Sequence, residues 1–455
     1  MPVNIPENLT ALASLFPVPL YAVGGFVRDS LLGFNQSDID VASSLPPEKV
    51  KSLLSGTEYE VKDGSKKLFT LIIKHGDFSY EYTTFRKDSY TSGHRPISVV
   101  AVTDIKEDAL RRDFKINAIY YDIKNACLVD PLNGIGDLNS KIISTTRAPE
   151  DVFGEDGLRL MRLARIASSI GFSIDEKTLD GAKRNALLIN EISPERIKDE
   201  LNKILIADTF YGKQNAQVNG LKILNDIGVL KIILPEITDG IGLEQNPLYH
   251  KYDVFGHSLK TVECAPPSIR LAALLHDVAK PYMKINTGRY RGHDKQGSIM
   301  ARNILTRLRY PLATINEISR LVEIHMFNLN NDARPNTIRK FILNNKDILD
   351  KFFLLKYADT YGGGTFTEKL IPSAENIRDE YKKMLDENVP FSVSDLLVDG
   401  NDLFAFPTLP PNKRGECLNE LLLQCAYSSS QFNTKEKQLK FIDTYTRRLS
   451  RGLQS

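Results

Sequence analysis

YAVGGFVRDSLLGFNQSDIDVASS, residues 21–44, reads as a strand, a glycine turn, a short helix and a second strand. Gly24 and Gly25 follow the apolar run at once, and Val27, Arg28 and Asp29 open the helix. Paired glycines remove the Cβ atoms that would hold a phosphate away, and a helix N-terminus aims unpaired N–H groups at an anion. By itself Gly-Gly after a strand is equally an ordinary turn, and it is not the dinucleotide pattern GxGxxG. The second strand carries the weightier feature: Asp38 and Asp40 are two apart, so on a strand they leave one face. Two carboxylates so placed repel, and the pair makes sense where divalent cations, Mg2+ being the natural candidate, sit between them. Two such ions activate a ribose 3′-hydroxyl and steady a triphosphate while pyrophosphate leaves.

Outward from that stretch, LFTLIIK (68–74) and FSYEYTTF (78–85) are strand-like runs joined by the turn HGD, a hairpin. Glu81 sits mid-strand among aromatic and β-branched residues; it is either a third metal-binding acid or a plain outward-facing glutamate. Further on, ALRRDFKINAIYYD (109–122) sets Arg111, Arg112, Asp113 and Asn117 against an apolar run, which suits triphosphate and ribose contacts or surface ion pairs. From Pro149 the pattern turns helical, as in EDGLRLMRLARIASSIGF (155–172), and strand signals nearly vanish. Asp156 and Arg159 are three apart, hence neighbours on one helix face, with Glu155 and Arg162 beside them. An Asp–Arg pair is a local salt bridge or, alternatively, one acceptor beside a fork of donors. That fork complements the amino group and ring nitrogen shared by cytosine and adenine, and it mismatches uracil and guanine.

Composition bounds the rest. The chain has 455 residues, 42% apolar and 25% charged, and a formal charge of +2, too small to advertise nucleic-acid binding in bulk. Any RNA contact must be local: the last 45 residues hold eight Lys or Arg against four acids, an RNA-contacting tail or a solvated helix face. Cys127, Cys264, Cys417 and Cys425 lack CxxC spacing, which disfavours disulfides and a zinc knuckle. The N-terminus has no basic segment followed by an apolar run, and no stretch approaches a membrane span, so a cytoplasmic protein without membrane contact is expected.

Taken in order and spacing, GGFVRD, DID, EYTTFR, RRDFKINA, DPLNGIGDL and EDGLRLMR resemble the bacterial class II CCA-adding and poly(A) polymerase family over roughly residues 20 to 205. The resemblance implies template-independent addition of C and A to the 3′ end of tRNA from ATP and CTP. It further implies metal ligation by Asp38 and Asp40, with Glu81 as the third catalytic acid. Nucleotide contacts are implied from Gly24, Gly25, Arg28, Arg111, Arg112, Asp113 and Asn117, with Asp156, Arg159 and Arg162 around the base. DPLNGIGDL is similar to the family's flexible hinge, Gly134 and Gly136 supplying the bend. One departure stands out: DSYTSGHRP has Gly93, His94 and Arg95 where many members resemble Asp-Gly-Arg-His-Pro, in a loop tied to the switch from C to A addition. CC-only or A-only addition therefore stays open beside full CCA synthesis.

Five of the seven histidines fall between residues 250 and 325. FGHSLK (His257), LLHDVAKP (His276, Asp277) and KYADTY (Asp359) follow the order His, His-Asp, Asp, which resembles the HD phosphohydrolases. That resemblance implies His257, His276, Asp277 and Asp359 as ligands of a transition metal or Mg2+, with His293 and His325 holding a second ion or a phosphate, and phosphodiesterase or phosphatase chemistry. Ala279 stands where many such motifs have Gly.

The expected architecture is α+β: a small mixed β-sheet nucleotidyltransferase head (1–140), then a helical neck that reads the base and binds RNA (141–237), an HD-type metal domain (238–365) and a helical tail (366–455). Two other functions compete. A poly(A) polymerase would share the head, and a hydrolase would use the HD site while the head merely senses nucleotide.

Overall fold

The computed structural model describes residues 3–34, 38–89, 98–247, 250–364, 367–432 and 434–452. It divides into two compact units, one of residues 1–239 with 304–310, the other of 240–303 with 311–455. The loop carrying Gly93, His94 and Arg95 lies outside the described residues.

The first unit is built on a mixed sheet. Its strands are β1 (Tyr21–Val23), β2 (Ile39–Ser43), β3 (Glu60–Asp63), β4 (Thr70–His75) and β5 (Phe78–Thr84). After the separate hairpin of β6 (Arg86–Ser89) and β7 (Ser98–Ala101) come β8 (Tyr120–Asp122) and β9 (Cys127–Val129). The sheet order is β3-β4-β5-β2-β1-β8-β9. Only β2 and β5 run parallel; every other pairing in it is antiparallel. The hairpin expected around HGD is present, with His75 opposite Phe78.

Alternation decides which face is which. Tyr80 and Tyr82 of β5 point into the core while Ser79 and Glu81 point out, and on β2 Ile39 is buried between exposed Asp38 and Asp40. Tyr80, Tyr82, Tyr120 and Phe114 are fully buried, each contributing about 1.5–3 kcal/mol by removal from water.

From Pro149 the unit is helical, with Pro149–Glu155, Leu158–Ile170, Pro194–Leu205 and Ala216–Asp226 among its longer pieces. The remaining strand there is the two-residue Ser173–Ile174, paired with Ile142–Ile143. DPLNGIGDL departs from the expected bend. Gly134 and Gly136 lie inside the helix Gly134–Ser140, whose first N–H groups are held by Asp130, from Gly134 N and Ile135 N at 2.8 Å each. Gly134 serves close packing: a Cβ there would sit 2.2 Å from the Lys115 carbonyl oxygen, so only glycine lets this helix press on the turn Lys115–Asn117.

The second unit is all helix among the described residues, apart from an isolated bridge between His250 and Gly364. Its segment Arg270–Leu275 is apolar on nearly every side, with Ala272, Ala273, Leu274 and Leu275 all at 0% exposure, and so runs through the centre. The tail packs a core of its own around Leu409, Cys417, Leu421 and Ile442. Four of its cations are already paired, Lys413 with Glu416, Lys435 with Asp402, Arg447 with Asp443 and Arg448 with Glu420, as a solvated helix face would have them. No described helix is long and apolar enough to cross a membrane.

Candidate active sites

β2 and β5 lie side by side in parallel register, which sets Asp40 directly beside Glu81. Asp38, Asp40 and Glu81 thus share the solvent-facing side of the sheet, although their carboxylate oxygens do not all come within 4.8 Å of one another. The Asp40 carboxyl is raised to about 6, chiefly by loss of solvation with Glu81 and Asp38 adding to it, while Arg112 and Arg162 offset part of the rise. A recess with three acids and two facing guanidinium groups fits a divalent cation, whose charge would relieve the repulsion among the acids. Gly24 backs onto this recess at φ +81°, a conformation open to glycine, and a Cβ there would meet Asp40 Oδ2 at 3.4 Å and Arg112 Nη1 at 3.7 Å. Gly25 begins the helix Gly25–Leu31.

The arginines are held in place rather than left loose. Asp108, at 0% exposure, takes Arg111 Nε at 2.9 Å, Arg112 Nη2 at 3.3 Å and the Tyr120 hydroxyl at 2.6 Å. Burial pushes its carboxyl up, but Arg111 and Arg112 win and hold it at about 2. Asp113 is likewise buried; Arg162 donates to it from Nε at 2.8 Å and Nη2 at 2.6 Å, and Asn117 Nδ2 donates at 3.0 Å. Arg162 and Asn117 outweigh burial there and keep its carboxyl well below the ordinary carboxylate range. Arg28, expected at a phosphate, is 5% exposed and committed to Asp29, Asn117 and Tyr211. Arg28, Asp113 and Asn117 therefore stand behind Arg162, and among these four Arg162 has the guanidinium with open surface, its side chain 35% exposed.

Asp156 and Arg159 do not share a helix face as their spacing suggests. The helix starts at Leu158, and Asp156 precedes it in extended conformation (φ −152°, ψ 105°). Asp156 receives Arg196 at 3.3 and 2.6 Å, while Arg159 turns to Glu155 (2.8 Å) and to the carbonyls of Val152 and Arg111. Glu155 also pairs with Arg147. The break comes at Asp156, while Gly157 beside it is itself in helical conformation (φ −58°, ψ −19°); a Cβ at Gly157 would be 2.5 Å from the Leu188 carbonyl oxygen.

In the second unit six expected ligands come together from five places in the chain. His257 lies on Val254–Cys264, which is N-capped by Asp253; His276 and Asp277 follow Arg270–Leu275; His293 opens His293–Arg307; His325 ends Leu312–Ile324; Asp359 lies on Leu349–Gly363. Among the described residues they form two metal-sized groups, His257 with His276 and Asp359, and Asp277 with His293 and His325. Asp277 stands between the groups: Oδ2 is 3.2 Å from His276 Nε2 and Oδ1 is 3.1 Å from His293 Nε2.

The donor set fits a cation for a specific reason. Nδ1 of His276, His293 and His325 each faces the backbone carbonyl three residues back, Ala273, Tyr290 and Val322, at 2.8, 2.9 and 2.6 Å. A carbonyl only accepts, so Nδ1 carries the proton and Nε2 offers its lone pair inward. Yet Nε2 of His293 is 3.3 Å from that of His325, so two lone pairs face each other, and the Nε2 lone pair of His276 meets the Asp359 carboxylate at 3.4 Å. Lone pairs that close repel unless a positive charge sits among them. A proton can fill that role at one point: burial lowers the His276 imidazole, but Asp277 and Asp359 override it and raise it to about 10. His325, buried beside other imidazoles, is pushed down to about 3. Lys280 Nζ lies 2.6 Å from Asp277 Oδ2 and donates to Gln245 at 2.6 Å. The group opens into a cavity of about 290 Å³ lined by His250, Lys280, Tyr290, Met326 and Leu329.

Residues 20–144 match the poly A polymerase head domain, 171–241 the probable RNA and SrmB-binding site of polymerase A, and 245–351 the HD domain. In sequence and domain order this chain is similar to the CCA-adding and poly(A) polymerase family. To one such protein, the CCA-adding enzyme of Limosilactobacillus fermentum, it is 42% identical over 207 residues, covering 45% of this chain and 49% of that one. It is 29% identical to the CC-adding tRNA nucleotidyltransferase of Thermus thermophilus over 94% of this chain and 93% of the relative. The matches to CCA-adding relatives thus span about half their length, whereas the Thermus match is nearly end to end. In fold it resembles the Bacillus stearothermophilus CCA-adding enzyme in complex with CTP (TM-score 0.67, 22% identity, 98% of each chain). It also resembles the Thermotoga maritima enzyme complexed with tRNA (TM-score 0.56, 18% identity, 97% and 96%).

Similarity to the CCA-adding enzymes makes the missed residues informative. Asp108 stands three and four residues before Arg111 and Arg112 on a helix, a spacing that identifies their partner. Lys280 stands three after Asp277. Arg196 and Tyr211 leave no local signal, because their partners are 40 and 183 residues away.

Proposed function

We propose that this chain adds C and A nucleotides to the 3′ end of tRNA without a template, drawing on CTP and ATP. The observation that carries the reading is the set of same-face acids Asp38, Asp40 and Glu81 with Arg112 and Arg162 turned toward Asp40. The names of the CCA-adding relatives, and solved neighbours holding CTP, ATP and tRNA, support it. Asp38 and Asp40 would hold Mg2+, with Glu81 as third acid; when bound, such ions supply activation of the 3′-hydroxyl and neutralise charge on the departing pyrophosphate. Arg112 and Arg162 present fixed positive charge to the triphosphate, and Gly24 keeps the floor open for its approach. Asp156, paired with Arg196, and Arg159 would supply the acceptor and donors that select an amino-bearing base edge once a nucleotide replaces their present partners. The setting is the cytoplasm, where tRNA is processed.

The HD unit would hydrolyse phosphoesters at nucleotide 2′,3′ ends. His257, His276, Asp277 and Asp359 would hold the metal, with His293 and His325 for a second ion; when bound it supplies Lewis-acid activation of water. Asp277→Ala should lower the Mn2+ retained per chain, measured by mass spectrometry of the desalted protein, by at least about half, because both groups use this carboxylate. Unchanged metal content would remove Asp277 from the site.

The near full-length Thermus relative favours a second reading, CC addition alone. Transcripts of tRNA ending before CCA, after C and after CC, each offered labelled CTP, labelled ATP or both with Mg2+, separate the two. Extension of all three through the terminal A supports CCA addition, a stop after CC assigns the second reading, and no extension of any overturns both. In the same assay Asp156→Ala or Arg159→Ala should raise misincorporation of UTP and GTP by roughly tenfold or more; unchanged selectivity would take them out of base reading.

A further inference from the structure

Tyr211 closes the short helix Ala207–Tyr211, 183 residues beyond Arg28. Its ring meets that of Phe34 edge-on at 4.8 Å. Its hydroxyl accepts from Arg28 Nη2 at 3.0 Å and donates to Asp29 Oδ2 at 2.9 Å. A hydroxyl has one proton, so these two partners fix its direction. The bonds then run on: Arg28 Nη1 to Asn117 Oδ1 at 2.7 Å, Asn117 Nδ2 to Asp113 Oδ1 at 3.0 Å, and Arg162 to Asp113 Oδ2 at 2.6 Å. Arg28, Asp29, Asn117 and Asp113 are all at most 6% exposed, so no water competes strongly for these bonds. The line surfaces at Arg162, the guanidinium that acts on the Asp40 carboxyl.

We propose that Tyr211 is a positioning residue for the incoming nucleotide, setting the direction of Arg162 through Arg28, Asn117 and Asp113. This rests on the transferase reading above, in which Arg162 meets the nucleotide. The geometry favours that destination over RNA, because the bonds from the hydroxyl run through buried Arg28, Asn117 and Asp113 to Arg162, whose charge acts on Asp40 of the acid-bearing sheet. A tyrosine that merely held two helices together would need its ring and not its hydroxyl.

The test uses the full chain with Tyr211→Phe, which keeps the ring on Phe34 and deletes the hydroxyl. The dissociation constant for CTP with Mg2+, measured by calorimetry without RNA, and the KM for CTP should both rise about 5- to 20-fold, with kcat and the KM for tRNA within about twofold. Asn117→Ala cuts the same line further along and should give a similar rise. The double variant should be no worse than the worse single one, since either change already frees Arg162. Phe34→Leu disturbs the ring contact and leaves the hydroxyl, so CTP affinity should stay within about twofold. Unchanged CTP affinity in Tyr211→Phe, multiplied losses in the double variant, an equal loss in Phe34→Leu, or a rise confined to the KM for tRNA would each overturn the relay. Failure of the transferase reading shows differently: the wild-type chain would bind CTP, respond to the variants as above, and extend no RNA.

Discussion

Asp40→Ala is expected to reduce CMP incorporation into a tRNA transcript lacking CCA by about 10³-fold or more, equivalent to roughly 4 kcal/mol of transition-state stabilisation. Asp40 is the acid on which Arg112, Arg162, Glu81 and Asp38 all act, so its loss should dismantle the proposed cation site and leave the fold's core untouched. Hydrolysis of a chromogenic phosphodiester at the HD unit should persist unchanged, because its ligands come wholly from the other compact unit. Retention of a tenth of the incorporation, or joint loss of both activities, would break this division of labour. A pH signature accompanies the isosteric Asp40→Asn. The folded carboxyl lies at about 6, above the ~3.9 of an unfolded aspartate. The native state therefore prefers the protonated acid, and that contribution is present below about pH 4 and lost as pH rises through 6. Without divalent cations, Asp40→Asn should melt higher than wild type at pH 8 and match it at pH 4. Added Mg2+ should raise the wild-type Tm and leave the variant's unchanged.

Asp108→Ala should carry the largest stability cost in the head, about 3–5 kcal/mol by urea unfolding followed with circular dichroism. Its carboxylate serves Arg111, Arg112, the Tyr120 hydroxyl and the Arg86 amide at once, and removing it strands two guanidinium groups that are only 14 and 15% exposed. Asp108→Asn, which keeps the shape and one acceptor, should fall between. The sign with pH is opposite to that of Asp40. Here the folded carboxyl is held at about 2, below its unfolded value, so the contribution is present above about pH 4 and lost as pH falls toward 2. The variant should accordingly lose less stability than wild type over that interval. A cost under about 1 kcal/mol would mean that water, not Asp108, satisfies the arginines.

Much of the transferase face is legible in the chain because its signals are local. Asp38 and Asp40 flank one buried isoleucine, and a strand has no choice but to send them the same way. The His-Asp pair in an apolar segment and the clustering of histidines likewise announce a metal group before any packing is known. Spacing misleads where backbone conformation changes. Asp156 and Arg159 are three apart, yet the backbone is extended at Asp156, which breaks the helix there and sends the two side chains to different partners. Gly134 and Gly136 suggest a bend, but both lie inside a helix, where Gly134 serves close contact with the Lys115 carbonyl and Gly136 with the Asn133 side chain.

The order of motifs by itself determined the α+β head, the helical remainder and the acid-bearing strands, because periodicity and short-range sterics act over a few residues. Only the tertiary structure decided which arginine stays open to a nucleotide. Arg28, Asp113 and Asn117 read as ligand contacts along the chain, and packing turned them into the buried support of Arg162. That assignment depends on long-range partners such as Tyr211, and on the cost of leaving a charge unpaired away from water, which no local pattern encodes.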